Sequence, residues 1–351
     1  MDAYKENLIE IDGSFGEGGG QILRTALAFS AIFQRPLAVH HIRAKRKNPG
    51  LGHQHLTAVK ALTQISAAKV EGAAIGSQTL RFIPGQIRPG DYQFQIGTAG
   101  SVTLLLQALL PPLCLSQRDS RLTLLGGTHV PWSPPFHYVS EVLFPTLGLM
   151  GISVRGRIER WGWYPTGGGI LEVDIKPSPY LKPISLLGRG PVKRICGISS
   201  ISNLPKHVAE RQRDEALKRI EKELKMDAEI TVLYDAPSIG QGSFLFLRAE
   251  SESAIAGFSA LGKKGKPAEK VADEAVDSLR NYLKSDGCVD PHLADQLIPF
   301  LLLAKGCSSF TTTRITEHLL TNLWVVEHFS LLKILRSGEK GREGKIEFFN
   351  E

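Results

Sequence analysis

The 351-residue sequence has only four cysteines, and their spacing does not suit a metal site. Cys114, Cys196, Cys288 and Cys307 lie far apart and form no CxxC pair, which argues against structural zinc and against a disulfide framework. A chain of this length buries a large core without such crosslinks. We therefore expect a globular protein of two or three domains in a reducing compartment, with the cytoplasm as the default location.

Long hydrophobic runs are also missing. The most apolar stretches, 104–115 and 297–304, are shorter than the roughly 20 residues that a membrane-spanning helix needs. The first six residues lack the basic-then-apolar order of a signal peptide. These patterns predict no membrane partner, and they do not specify an oligomeric state.

Two common nucleotide-binding motifs are incomplete. Residues 257–264 follow the P-loop spacing, but Lys264 stands where the Ser or Thr that holds Mg²⁺ is needed. Residues 284–287 match the KxDG signature of lysine-adenylylating ligases at only three fixed positions, in what is also ordinary turn chemistry. We reject the P-loop and interpret KxDG as chance, although Lys284 stays a testable rival nucleophile.

The net charge of +7 permits a polyanionic partner without identifying one. Residues 43–47 contain four cations, and the turn-forming sequence Asn48-Pro49-Gly50 follows them. Composition alone leaves two interpretations of this run open, a solvated loop and a phosphate-binding loop.

A repeat is visible where small or turn-forming residues precede an apolar helix. Residues 16–21, 97–101 and 290–296 lead into predicted helices at 22–33, 102–110 and 297–305. A glutamine falls near the start of each copy, at positions 21, 107 and 296. Alternating runs at 93–96, 121–125 and 170–175 predict strands, so the fold class is α/β (α+β).

The spacing of the copies predicts an insertion. Gly18 and Gly97 are 79 residues apart, whereas Gly97 and Pro291 are 194 apart, which leaves about 115 extra residues. Composition changes at the charged amphipathic segment 206–225 and the lysine-rich segment 263–270. We predict repeats one and two in 1–182, an inserted small αβ domain in 183–285, and the third repeat in 286–351.

His318 is the candidate nucleophile. Thr316 can cap a helix with a buried apolar face, which puts His318 in the first turn. The helix dipole there disfavours imidazolium, and a neutral imidazole nitrogen can attack the α-phosphate of ATP. The residues alone still favour a structural histidine bonded to the backbone.

Long motifs in order across nearly the whole chain resemble the RNA 3′-terminal phosphate cyclase family. They are IDGSFGEGGGQILRTALAFSAI at 11–32, IRAKRKNPGLGHQHL at 42–56, GTAGSVTLLLQALLP at 97–111, LADQL at 293–297 and HLLTN at 318–322. The resemblance implies a large domain of three βαβαββ-type repeats related to enolpyruvyl transferases, with a smaller αβ domain inserted before the third. It also implies conversion of an RNA 3′-phosphate to a 2′,3′-cyclic phosphate, using ATP and Mg²⁺ or Mn²⁺.

The resemblance further implies roles for individual residues. His318, in the HxxTN motif, would carry AMP, Asp295 would contact the ribose or orient the histidine, and Glu17 would hold the metal. Pro134 would press on the adenine, with Phe258 near its other face. The remaining residues of the ATP pocket would be Gln107, His292, Leu293, Ala294 and Gln296. The pyrophosphate or the RNA phosphate would be bound by Arg24, Arg43, Arg46, Gln54 and His55. At position 292 family members often carry tyrosine, so His292 is a departure.

Two rival functions remain at this point. A non-catalytic RNA-binding scaffold for ribosome assembly exists in the same fold, but it lacks the nucleophile that this chain has at position 318. An enolpyruvyl transferase would need neither a nucleotide nor an HxxTN motif.

Overall fold

The computed structural model describes residues 8–350, and its first unit is a sheet covered by two helices. In chain order this unit consists of β1 (Ile9–Asp12), α1 (Gly20–Phe33), β2 (Leu37–His40), α2 (His53–Ile65), β3 (Lys69–Glu71) and β4 (Leu80–Ile83). The strand order is β1-β2-β4-β3, with β1 and β2 parallel and the other pairs antiparallel.

The second unit repeats this plan. It consists of β5 (Asp91–Gln95), α3 (Val102–Cys114), β6 (Ser120–Gly126), α4 (Phe136–Tyr138), a π-helical turn (Val139–Leu143), α5 (Phe144–Leu149), β7 (Ser153–Arg160) and β8 (Gly169–Lys176). Its strand order, β5-β6-β8-β7, matches that of the first unit position by position.

The third unit begins before the insertion. After β9 (Ser185–Leu186) the chain leaves for β10 (Val192–Ser202), α6 (His207–Arg219), a π-helical turn (Ile220–Leu224), β11 (Glu229–Leu233), β12 (Gly242–Ser251), β13 (Ile255–Leu261) and α7 (Ala268–Leu283). It returns for α8 (Pro291–Leu303), β14 (Gly306–Thr312), α9 (Glu317–Phe329), β15 (Lys333–Gly338) and β16 (Gly344–Asn350). The third sheet has the order β15-β16-β14-β9, and the inserted sheet has the order β11-β10-β12-β13.

The α/β fold class and the three βαβαββ repeats with a smaller inserted αβ unit are confirmed. The range predicted for the insert, 183–285, includes β9, which pairs in parallel with β14 of the third sheet. A two-residue strand is too short for alternation to reveal it in the sequence.

One predicted helix start is wrong. Helix α8 begins at Pro291, not at 297, because Asp290 caps it by accepting hydrogen bonds from the amides of His292 and Leu293. Proline at the first helical position is favourable, since the amide that it lacks would have no partner there. The LADQ motif therefore lies inside the first two turns of a helix.

Strand alternation explains how the insert joins the rest of the molecule. On β12, Leu245 and Leu247 face the insert's own core, which contains residues of α6 and α7. Phe244 and Phe246, on the opposite face of the same strand, belong to the main core. Within residues 8–350, no helix is long and apolar enough to cross a membrane.

Candidate active site

A cleft with a volume of about 1290 Å³ lies where the first helices of the three units, the start of α9 and the insert meet. Thirteen of the candidate residues line it, among them Glu17, Arg24, Arg43, Arg46, Gln54, His55, Gln107, His292, Asp295 and His318. The other three are Gln296, Pro134 and Phe258. The cleft therefore brings together residues from all three repeats and from the insert.

His318 sits in the first turn of α9. Thr316 caps this helix, its hydroxyl accepting a hydrogen bond of 3.0 Å from the amide of Leu319, as predicted. The cap fixes the direction in which the first turn leaves the preceding loop, and this direction carries His318 into the cleft.

Gln21, near the start of α1, holds the histidine ring. Its Oε1 lies 2.6 Å from Nδ1 of His318, while its Nε2 donates to Oδ2 of Asp295 at 3.2 Å and to the carbonyl of His318 at 3.1 Å. Because the amide NH₂ is engaged on its other side, Oε1 must accept, so Nδ1 of the ring carries the proton. In the neutral ring, Nε2 of His318 is then the nitrogen with a free lone pair.

The surroundings of His318 favour the neutral ring. Burial lowers its pKa, and the charges of Arg24, His292 and Arg46 act in the same direction. Glu17 opposes them, with Oε2 3.5 Å from Nε2 of His318. The neutral ring has the protonation state that nucleophilic attack requires, and its Nε2 faces a carboxylate and several cations.

Asp295 and Arg24 are half-buried ionisable groups in the cleft wall. Burial raises the pKa of Asp295 to about 8, and the nearby Asp290 adds to the rise. Burial also lowers the pKa of Arg24 to about 10, which the charge of Asp295 opposes. Shifts of this kind are typical of functional sites, where charge is held in place before a ligand arrives.

The basic run after β2 turns toward the cleft. Arg46 lies 3.2 Å from Glu17, and Arg43 donates to the carbonyl of Gly50 at 2.6 Å. Burial, together with Arg24, Arg43 and Arg46, lowers the pKa of His55 to about 3, so His55 stays neutral in this cationic setting. Guanidinium groups arranged in this way suit phosphate oxygens.

Gly20 is where the backbone of α1 approaches His55. A Cβ at position 20 would overlap Nε2 and Cδ2 of the His55 ring. A larger residue at position 20 would displace the His55 ring, so glycine preserves this approach. Gln54, beside His55, accepts a hydrogen bond of 2.7 Å from the amide of Ser101 and so ties the first unit to the second.

Two residues predicted for the nucleotide pocket do not line the cleft. Leu293 and Ala294 are buried in the hydrophobic core, on the face of α8 opposite the cleft. Because an α-helix has about 3.6 residues per turn, positions three and four apart share a face, and His292, Asp295 and Gln296 therefore lie together on the other face. The LADQ motif suggested that consecutive residues line the cleft. A helix, however, presents only one of its sides to a cleft.

The sequence did not indicate how α9 is anchored. Asn322 donates to the carbonyl of Asp295 at 2.9 Å and accepts from the hydroxyl of Thr25 at 2.8 Å. This buried amide joins α9 to α8 and α1. Gln21 was also missed as the residue that orients His318, although glutamines recurring in the three copies were a signal.

Glu17 is the candidate metal ligand. Residues 8–350 contain no group of three or more His, Cys, Asp or Glu side chains arranged to hold a metal. A single exposed carboxylate fits Mg²⁺, which keeps several waters and takes further oxygens from substrate phosphates. The residues present are thus compatible with a metal that arrives with a nucleotide.

The rejected motifs lie in ordinary structure. Residues 257–261 belong to strand β13 and form no phosphate-binding loop. Lys284 follows α7 in the turn before Gly287, outside the cleft lining.

The chain matches the family model described as RNA 3′-terminal phosphate cyclase over residues 15–335. Proteins named RNA 3′-terminal phosphate cyclase from Thermococcus kodakarensis and Pyrococcus furiosus are 45% and 44% identical to it. The matches cover 96% and 97% of this chain, and 97% and 98% of those proteins. The one from Methanopyrus kandleri is 44% identical, over 97% of this chain and 98% of that protein. Among solved structures, the enolpyruvyl transferase NikO from Streptomyces tendae is 10% identical. That match covers 98% of this chain and 81% of NikO with a TM-score of 0.28, too low to support an argument.

Proposed function

The chain belongs to the RNA 3′-terminal phosphate cyclase family, and on that premise we propose that it converts an RNA 3′-phosphate to a 2′,3′-cyclic phosphate with ATP. The observation that carries the proposal is the contact of 2.6 Å between Nδ1 of His318 and Oε1 of Gln21, which in the neutral ring places the proton on Nδ1 and the lone pair on Nε2.

The first step is nucleotidyl transfer to the protein. Nε2 of His318 attacks the α-phosphorus of ATP, the N–P bond forms, and the bond from that phosphorus to the bridging oxygen breaks, so pyrophosphate leaves. The proton on Nδ1 stays between the ring and Gln21. The positive charge that develops on the ring faces Glu17, 3.5 Å from Nε2.

Positioning and charge neutralisation supply most of the catalysis in phosphoryl transfer. The guanidinium groups of Arg24, Arg43 and Arg46 bind the pyrophosphate or the RNA phosphate. Glu17 would hold Mg²⁺ or Mn²⁺, which neutralises phosphate charge when bound. Pro134 and Phe258 would enclose the adenine, with Gln107, His292 and Gln296 beside the nucleotide.

Two further steps complete the reaction. An oxygen of the RNA 3′-phosphate attacks the phosphorus of the adenylylated histidine, which breaks the N–P bond, frees the ring and joins AMP to the RNA. The neighbouring 2′-oxygen then attacks the 3′-phosphorus, loses its proton and expels AMP. Each step breaks one bond to phosphorus as it forms another.

Labelling of the protein by α-labelled ATP with Mg²⁺ or Mn²⁺ tests the proposal. We expect an acid-labile label on the wild-type chain, no label on His318→Ala, and normal label on His328→Ala. His328 is a matched control, because it lies on the same helix but outside the cleft. An RNA 3′-phosphate should become resistant to phosphatase only with a protein that can be labelled.

Other outcomes would contradict the proposal. Label on His318→Ala that disappears in Lys284→Ala would establish the lysine nucleophile. Complete lack of label on a folded wild-type chain would favour the RNA-binding scaffold.

A further inference from the structure

Trp132 is an aromatic side chain that the fold leaves open to solvent. It is 99% exposed, and its φ of +65° lies in the left-handed region, which bulky residues rarely adopt. All four tryptophans of the chain lie in the described part. Trp161 and Trp163 are 3% exposed, and Trp324 is half-buried against Phe15. An indole held outward at an unfavourable backbone angle implies a use for its exposed ring.

The loop that carries Trp132 is fixed at several points. At its start, the amide of Thr128 donates to the carbonyl of Gly162 at 2.9 Å, and at its end the amide of Phe136 donates to the carbonyl of Thr128 at 3.1 Å. Within it, the hydroxyl of Thr103 donates to the carbonyl of Pro134 at 2.6 Å. Pro131 restricts the backbone immediately before the tryptophan. The ring is thus presented on a rigid support, so a partner that stacks on it would not have to order a loop.

Trp132 lines the cleft that contains the candidate nucleophile. The same cleft is lined by Arg24, Arg43, Arg46, Lys263 and Arg314, which suit a polyanion. A partner that combines phosphate charge with flat apolar faces is a single-stranded nucleic acid, whose bases stack on aromatic side chains.

We propose that Trp132 is a stacking platform for a nucleobase of the RNA strand whose 3′-phosphate reaches His318. The identity of the strand rests on the proposed function. The adenine of ATP is assigned to Pro134 and Phe258, which are half-buried and buried in the cleft lining, whereas Trp132 is fully exposed. A stacked base would hold the strand near the nucleophile without reading its sequence, because every base has a flat face.

Binding is tested in a His318→Ala background, where no transfer to the histidine can occur. The probe is a 5′-fluorescein oligoribonucleotide of five residues ending in a 3′-phosphate, followed by fluorescence anisotropy. Trp132→Ala should raise its Kd by about 5- to 100-fold, as expected for one lost base–aromatic stack. Trp132→Phe should stay within about threefold of the parent, because phenylalanine keeps a stacking face. Tyr164→Ala is the matched control, since Tyr164 is 67% exposed but lies outside the cleft lining, and it should change nothing.

Intrinsic fluorescence gives a second readout. The unlabelled oligonucleotide should quench the emission of the exposed Trp132, and ATP alone should not. The inference is overturned if Trp132→Ala binds the oligonucleotide as tightly as its parent, or if ATP alone produces the quench. It is also overturned if the emission changes with protein concentration alone, which would assign the ring to contact between copies of the chain. Because His318 is absent throughout, these results do not depend on whether the protein can be adenylylated.

Discussion

At the scale of single residues, His318 depends on Gln21 for its chemistry. An imidazole has two nitrogens, and the hydrogen bond at one of them decides which tautomer is present at the other. The amide of Gln21 cannot turn over without losing its contacts with Asp295 and the carbonyl of His318. The nucleophilic nitrogen is therefore selected by a glutamine that is itself held from two sides.

Replacing Gln21 tests this selection. Gln21→Leu should slow labelling of the protein by ATP about 100-fold, because the ring loses its orientation. Gln21→Glu should keep the acceptor but stabilise the imidazolium and raise the pKa of His318. The neutral ring is the reactive form, so the rate falls as the pH drops through that pKa.

The pH profile of the labelling rate distinguishes an effect of Gln21 on the orientation of the His318 ring from a merely structural effect of the substitution. In the wild type the pKa of His318 is lowered, so the rate should hold as the pH falls to the ordinary histidine value of about 6.5 and decline below it. The decline should begin at higher pH in Gln21→Glu. An unchanged profile in that variant would show that Gln21 does not contact the reacting ring.

At the scale of elements, the start of α9 is the feature that determines where His318 lies. A helix leaves its first amides without partners, and Thr316 satisfies one of them. Asn322, one turn beyond His318, fixes the helix to its neighbours through Thr25 and the carbonyl of Asp295. His318 therefore lies between the capping Thr316 and the anchoring Asn322, in a segment of seven residues.

Removal of the cap should affect stability and chemistry together. Thr316→Ala should lower the free energy of unfolding by about 1 kcal/mol, measured in urea, since it leaves the amide of Leu319 without its acceptor. It should also slow histidine labelling, because the first turn loosens. Thr316→Ser keeps the hydroxyl and should behave like the wild type. If Thr316→Ala is less stable but is labelled at the normal rate, the cap contributes to stability and not to the labelling of His318.

Several elements were predictable from local signals. The helices at α1 and α3 and the strands β5, β6 and β8 were predicted close to their observed bounds, because their apolar periodicity is regular. The start of α8 was missed, although Asp290 and Pro291 are a capping residue and a favourable first residue. Strand β9 carries no signal of its own and forms because β14 offers it a partner.

At the scale of the whole molecule, the insert closes one side of the cleft. Its β13 contributes Phe258, and the turn after that strand contributes Lys263 and Lys266. The two faces of β12 pack on different cores, so the insert is joined to the large domain through Phe244 and Phe246. Residues far apart in the chain thereby enclose one site.

The charge of the insert provides a matched pair of variants. Lys263 lines the cleft, whereas its exposed neighbour Lys264 does not. Lys263→Glu should weaken binding of an RNA with a 3′-phosphate and reduce the slope of log Kd against log salt by about 1. Lys264→Glu makes the same change of net charge and should have a much smaller effect. Equal effects of the two variants would mean that RNA binding depends only on the net charge of the protein.

The sequence by itself determined the repeat plan, the existence of an insertion and the position of His318 behind a capping threonine. These depend on residues close together in the chain, whose spacing decides which face of a helix or strand is apolar and where a helix begins. Through the family resemblance it also identified thirteen residues that the fold gathers into the cleft.

Only the tertiary structure decided which residues touch. Gln21 and His318 are 297 positions apart, and no local pattern specifies that Oε1 meets Nδ1. The burial that shifts the pKa of Asp295 to about 8 likewise exists only when α1, α8 and α9 pack together. Leu293 and Ala294 lie in the core for the same reason, because packing determines which side of α8 the cleft receives. Protonation and orientation follow from contacts between distant segments, and those contacts form only when the core closes.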